Sequence, residues 1–530
     1  MDDFDRRIAH AEALFAAGRA LEARDALQAL AGAAAGDPVL LSRVLNDLGV
    51  ITSSLGSGGA HALLARAVHA DPGNADALEN LAAVCSAEGD AGQAAHWLRR
   101  ALAADPGRAS AREALVDALE ASHDWALADA ARHAAAGDGR RPRLLVLAHV
   151  FHPSVGGTEL LAEQAALALR ERGWDVEVGT EPHRERTAGE HRGIPVHELP
   201  DDGGASLTAL LGGRPFDAIL AYAGPLGWPI VIPPTLPHPR PRLVLVPCVN
   251  PDGYAQIDAS PQIRGQYAGL LRQADVVVHS SEHGWDARLM RELGVRSTCV
   301  PNAAARTAPG REPQPRTGTR LLCVGNLWEE KDHVGLLRTL RGVPGDWTLR
   351  IIGGEPPAHV PNPVPTLRAL AGEDDRIQLT GPAPAAEVAA AMAEADVLLL
   401  PSRVEATPLV LVEAMSQGLP WIATPTCGSA GDHAGGLIAP LGRFPGAVAW
   451  ILGDDDARRA LGAAGREHYD AAYAWDVVAD RFDALLAGAD ALPATPMPPE
   501  AAQATTRARE RWYDALLAGA AGAAGAAGAA

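Results

Sequence analysis

Along residues 3–134, apolar and small residues recur every three or four positions, the spacing of helices that bury one face. From Arg143 the texture changes to short apolar runs separated by amphipathic segments. This predicts strands alternating with helices, and hence parallel, doubly wound sheets. Strands are expected at 143–150, 175–179, 216–222, 242–249, 275–280 and 298–301. After a Pro-, Gly- and Arg-rich interruption at 303–319, a second series is expected at 320–325, 347–353, 377–379, 396–401 and 421–424. Two such halves would face one cleft, with ligands bound beyond the C-terminal strand ends. A further helix is expected to about residue 486, then a linker at 491–499, a helix near 501–517 and an unstructured Gly-Ala-Ala tail.

Within the helical part, Asp-Pro returns at Asp37-Pro38, Asp71-Pro72 and Asp105-Pro106, a 34-residue period. The same small and apolar positions precede each: Ala26 and Leu30, Ala60 and Leu64, Ala94 and Leu98. This resembles the tetratricopeptide repeat, a pair of antiparallel helices with small residues at their crossing. Three units and a partial fourth or capping pair at 109–134 are implied. Such an array offers a concave face to a peptide, a partner protein or a second copy of itself. The alternative, that it only rigidifies or dimerises the chain, stays open. Residues 136–142 read as a hinge.

Composition narrows the function classes. At 47% hydrophobic and 21% charged over 530 residues the chain is globular and multidomain. A net charge of −19 repels phosphate backbones, so no nucleic-acid partner is expected. Cys85, Cys248, Cys299, Cys323 and Cys427 show no CxxC spacing, so neither a disulfide framework nor a zinc motif is indicated. The acidic start and the absence of an apolar run behind it argue against a signal peptide, and the expected location is the cytoplasm. The uncharged stretch 218–237 is interrupted by five prolines and reads as a strand end and loop rather than a membrane span. A peripheral contact with the inner face of a membrane, through the Arg-rich middle of the chain, stays open.

The chain has no Walker loop and no complete dinucleotide fingerprint; Gly56-x-Gly58 lies among the repeats. Asp454-Asp455-Asp456 reads as a helix cap, and His149-x2-His152 lacks further metal ligands. Lys331 is the one lysine in the sequence, in Gly325-Asn326-Leu327-Trp328-Glu329-Glu330-Lys331 just past a predicted strand. A compact ammonium there can reach a phosphate. Farther on, Thr407 is placed to cap a helix with Pro408 in its first turn, leaving free N–H groups as an anion site. Glu413 follows in an otherwise apolar helix, where a carboxylate needs donors such as sugar hydroxyls, and Glu405 precedes it by eight residues.

Pro153-Ser-Val-Gly156-Gly157-Thr-Glu159, the Lys331 segment and the Glu-x7-Glu pair, in this order along the chain, resemble the retaining GT-B glycosyltransferases of family 4 (glycosyl transferases group 1). The resemblance spans 143 to about 486. It implies two Rossmann-like domains behind the repeats: 1–138 repeats, 139–305 acceptor domain, 306–487 donor domain, and 488–530 linker, helix and disordered tail. It implies a nucleotide-diphosphate sugar donor, a hydroxyl acceptor on a glycan, lipid or protein, and no metal or other cofactor. Lys331 would neutralise the diphosphate, Glu405 touch the donor sugar and Glu413 hold the ribose. Thr407, Pro408 and Leu409 would present backbone to the phosphates, with Gly156 and Gly157 allowing approach from the other half. Two departures stand out. Asn326 replaces the usual Arg, and a usual His is missing near Cys248-Val-Asn250-Pro-Asp252, where Asn250 or Asp252 are the candidate substitutes. An inactive interaction protein on this fold, or a nucleotide-sugar epimerase or hydrolase, remain the alternatives.

Overall fold

The computed structural model describes residues 3–122 apart from 35 and 57; 127–128 and 131; 141–223 apart from 155 and 203; 240–305; and 319–527 apart from 342, 344, 358–359 and 427–428. The interruption at 303–319, the hinge at 136–142 and the Pro-rich stretch after residue 223 lie largely outside the described residues.

Among the described residues the N-terminal arm has seven helices: α1 (Asp3–Ala16), α2 (Ala20–Ala33), α3 (Pro38–Ser54), α4 (Ala60–Ala70), α5 (Ala75–Ala87), α6 (Ala91–Ala104) and α7 (Ala109–Ala121). The 34-residue positions recur in the packing. Leu30, Leu64 and Leu98 are all buried, and Asp71 and Asp105 each accept the amide two residues on, from Gly73 and Gly107. Asn80 donates to Asn46 at 2.9 Å, one period apart. Asp37 differs in capping its helix directly, accepting from Leu40 N with Pro38 as the first helical residue.

The first sheet has strand order β3-β4-β2-β1-β5-β6-β7-β8. Its strands are β1 (Arg143–Ala148), β2 (Asp175–Thr180), β3 (Glu190–His191), β4 (Ile194–Glu198), β5 (Ala218–Tyr222), β6 (Arg242–Val246), β7 (Val276–His279) and β8 (Thr298–Cys299). All pairings are parallel except β3 with β4. Leu144, Val146 and Ala148 enter one core and Leu145 and Leu147 another, the two-residue alternation of a strand covered on both faces. The second sheet, order β11-β10-β9-β12-β13-β14, is parallel throughout. It comprises β9 (Thr319–Val324), β10 (Trp347–Ile352), β11 (Ile377–Leu379), β12 (Val397–Leu400), β13 (Trp421–Ala423) and β14 (Gly436–Ile438). Every strand expected from the sequence forms. The additional β3, β4 and β14 are short; β4 carries Pro195 and only two buried apolar residues.

Two boundaries differ from expectation. The helix Trp475–Leu486, assigned by sequence to the donor half, packs instead on the first sheet: Val478, Phe482, Leu485 and Leu486 share one core with β1, β2, β5 and β6. Arm residues from Leu45 to Ala128 join the same core, so arm, first sheet and crossing helix are continuous. At their junction the buried Asp483 accepts from Trp174 Nε1 at 2.7 Å and lies 3.3 Å from His96 Nδ1 and 3.7 Å from Arg99 Nε. Gly92 is required there, since a Cβ would strike the Ala489 backbone. The chain then returns, and helix Pro499–Ala527 lays Trp512 and Ala508 against the second sheet's core. Its helical backbone continues through 518–527, where no structure was expected; Ala has the highest helix propensity of any residue.

Candidate active site between the two halves

In the second sheet the chain leaves β9 and β12, which are neighbours, toward opposite sides, and a crevice opens where connections diverge in this way. After β9, Gly325 adopts φ +159 and its carbonyl meets Gly353 so closely that no side chain fits at 353. Leu327 N bonds Gly354 O at 2.8 Å, holding the loop down. A single 3-10 turn, Glu329–Lys331, follows, and Asp332 caps helix His333–Leu340 by accepting from Gly335 N. The loop after β12 is tied to this turn: Arg403 N donates to Glu330 O at 2.7 Å and its guanidinium to Asp332 at 3.0 Å. These bonds bring Lys331 Nζ to 2.6 Å from Glu405 Oε1, and Ser402 Oγ donates to the same oxygen at 2.8 Å.

Helix Leu409–Ser416 begins one residue later than expected. Pro408 is its extended N-cap, and Thr407 does not cap it. The Thr407 hydroxyl instead lies 2.9 Å from Ser280 Oγ at the end of β7, across the cleft. Proline at the cap supplies no N–H, and the amides of Leu409 and Val410 lack intrahelical acceptors, so the free donors of this helix start are those two. Leu409 packs against the first half's core, and the Cβ position of Gly157 is 3.7 Å from Leu409 Cδ1. A methyl group at Gly157 would make only an ordinary van der Waals contact with Leu409, so the approach of the halves does not require the glycine. Gly156 differs, since the Glu159 carboxylate folds over it where a side chain would stand.

Glu413 lies one turn beyond Leu409 and is half-buried. Burial pushes its carboxyl above the ordinary carboxylate value, and among the described residues no donor meets it. Asn326 is exposed, its Oδ1 3.5 Å from the Cβ position of Gly354. Asn250 is occupied as a helix cap, accepting from Gly253 N at 2.8 Å, and Asp252 is exposed on that helix's first turn. Of the other histidines considered, His149 pairs with Glu181 at 3.0 Å, while His152 stacks on His191. Asp454 caps helix Asp455–His468, as the sequence indicates.

The sequence did not reveal a set of bonds between the halves. Asp432 accepts from Ser281 Oγ and also contacts His283 Nδ1, and Ser280, which bonds Thr407, donates to Asp286 at 2.8 Å. These are ordinary loop residues with no motif, joined only by the meeting of two domains.

Residues 318–454 match the model of the Glycosyl transferases group 1 family. The second half thus carries a glycosyl transferases group 1 domain. The GDP-mannose-dependent alpha-(1-6)-phosphatidylinositol monomannoside mannosyltransferase of Mycobacterium tuberculosis is 32% identical over 211 residues, which cover 36% of this chain and 53% of that protein. The D-inositol 3-phosphate glycosyltransferase of Jonesia denitrificans is 29% identical over 259 residues, 44% of this chain and 59% of its own. The chain therefore spans little more than half the length of these curated relatives. Among solved structures, sucrose-phosphate synthase from Thermosynechococcus elongatus superposes with a TM-score of 0.54 at 19% identity, over 64% of this chain and 97% of its own. Anabaena HepE in complex with UDP-glucose gives 0.51 at 18%, over 64% and 98%. The two sheets and their cleft thus have the GT-B arrangement.

Proposed function

We propose that the chain transfers a sugar from a nucleotide-diphosphate donor to a hydroxyl acceptor with retention of configuration. The observation that carries this reading is the placement of Lys331 against Glu405 beside the free N-terminus of helix Leu409–Ser416, with the donor-less Glu413 one turn farther on. The lysine is held by a carboxylate that a diphosphate can displace. The diphosphate then lies between Lys331 and the Leu409 and Val410 amides, Glu413 accepts from ribose hydroxyls, and Glu405 is released toward the donor sugar. The acceptor oxygen bonds to the anomeric carbon on the face from which the diphosphate departs, and the leaving phosphate oxygen takes the acceptor's proton. Lys331 and the helix amides stabilise the developing charge, the role a metal has elsewhere.

The names of the relatives make GDP-mannose and UDP-glucose the first donors to test. We read the N-terminal helix pairs as tetratricopeptide repeats that recruit the acceptor, a glycan, lipid or protein, or a partner. The exposed Asn326 favours a second reading, a transferase fold that binds donor without turning it over.

The test is thermal stabilisation by a panel of nucleotide sugars without added metal, on wild type and Lys331→Ala, followed by NMR of the product's anomeric configuration. A selective rise in Tm that the variant loses supports the site. Stabilisation without product supports the binding-only reading, and no stabilisation by any donor overturns both.

A further inference from the structure

Behind the cleft stand three side chains that the transfer reaction does not use. His279 ends β7, Glu282 follows in the next loop, and Cys299 on β8 is the register partner of His279. One ligand atom from each lies within 4.8 Å of the other two. His279 is 6% exposed, and its Nδ1 lies 3.0 Å from Ser297 Oγ. The other ring nitrogen, Nε2, is buried without a hydrogen-bond partner and sits 3.5 Å from Glu282 Oε2, longer than an ordinary N–H···O bond. With Nδ1 donating to Ser297, Nε2 keeps a lone pair beside a carboxylate and a thiol. Orienting one imidazole nitrogen by a hydrogen bond from the other is how proteins prepare a histidine ligand.

We propose that His279, Glu282 and Cys299 form a binding site for a borderline-soft divalent cation of the zinc type. Imidazole, carboxylate and thiolate are its usual donors, and the two anionic ligands balance its charge. Glu282 and Cys299 also line a cavity of about 310 Å³ shared with Ser281, Asp432 and Thr495, which supplies the entry path and room for water as a fourth ligand. On binding, a metal–sulfur bond forms and the thiol proton passes to solvent. The site is structural. It joins the adjacent ends of β7 and β8 next to Ser280, whose hydroxyl meets Thr407 in the other half. The spacing 279, 282, 299 matches no zinc motif, and only the sheet register assembles it.

The test uses the full chain, stripped with a chelator and titrated with Co2+ and then Zn2+. One Co2+ per chain is expected, with an intense near-ultraviolet thiolate-to-cobalt band that Zn2+ abolishes. Zn2+ should also slow alkylation of Cys299, followed by peptide mass spectrometry, which needs no variant. Cys299→Ser and His279→Ala, checked for folding by circular dichroism, should weaken binding by about tenfold or more. His283→Ala, in the same loop but outside the trio, should leave it unchanged. Absence of the thiolate band, or a band that survives Cys299→Ser, overturns the proposal. None of these readouts depends on sugar transfer.

Discussion

Lys331 Nζ and Glu405 Oε1 lie 2.6 Å apart, although the two residues leave the sheet from different strands. In the ligand-free protein each satisfies the other, so a donor must exchange that ion pair for contacts with its diphosphate. Lys331→Ala is expected to lower turnover by roughly two to three orders of magnitude, because a preorganised charge at the leaving group is lost. Initial rates at saturating donor, with folding confirmed by circular dichroism, decide it; a loss under about fivefold removes Lys331 from the chemistry.

Glu413 gives a pH-dependent prediction. Its folded pKa is raised by burial above the ordinary 4.5, so between that value and the raised one the folded state holds more proton than the unfolded. Stability therefore falls as pH rises through this window. Glu413→Gln removes the charge and should raise the ligand-free Tm at pH 7.5, by about 2 to 4 °C per kcal/mol recovered, with little change at pH 4. The same variant should bind nucleotide sugar more weakly, since a carboxylate is the better acceptor for hydroxyls.

Two buried histidines predict acid sensitivity. Burial, with the nearby Lys331 charge, lowers His333 to about 4, and burial, with His433 beside it, lowers His468 to about 3. Both are neutral when folded and take up protons on unfolding below about pH 6.5, so stability declines as pH falls from 6.5 toward 4. The expected slope is roughly 1 to 3 kcal/mol per pH unit, measured by denaturant unfolding across that range. His468→Gln should flatten it.

The junction at Asp483 is a stability site remote from the chemistry. Its carboxyl is held well below the ordinary value although burial opposes this, chiefly because Arg99 and His96 face it. Its contribution is present above about pH 3.8 and is lost as pH falls toward the folded value. Asp483→Ala removes the buried carboxylate that both groups face and should cost about 3 to 5 kcal/mol. Limited proteolysis should then cut between arm and first sheet.

The bonds between the halves give a further test. Asp432→Ala removes the acceptor shared by Ser281 and His283 and should weaken the contact by about 1 to 2 kcal/mol. Small-angle scattering of the ligand-free protein should show a larger radius of gyration, restored by donor.

Much of this was legible in the sequence where composition singled out a residue. Lys331 stood alone among arginines, and Glu413 was the one charge in an apolar helix, so each was marked as a candidate without a fold. The strands were legible because two-residue alternation between two cores requires unbroken apolar runs. Thr407 was misread, since a threonine before proline looks like a cap, and its true partner, Ser280, is 127 residues away. The crossing helix was assigned to the wrong half for a similar reason. An amphipathic pattern shows that Val478 and Phe482 are buried and does not show against what. β14 has three residues, too few to produce a period, and β4 is interrupted by Pro195 and buries only two apolar side chains.

The helix Trp475–Leu486 touches the first sheet, and through Asp480 and Asp483 it also grips α6 of the arm. Arm and body are consequently not beads on a string. Grafting this arm onto another protein of this fold would require transplanting residues 475–489 and their facing surface with it, so arm and body are expected to have been inherited as a unit.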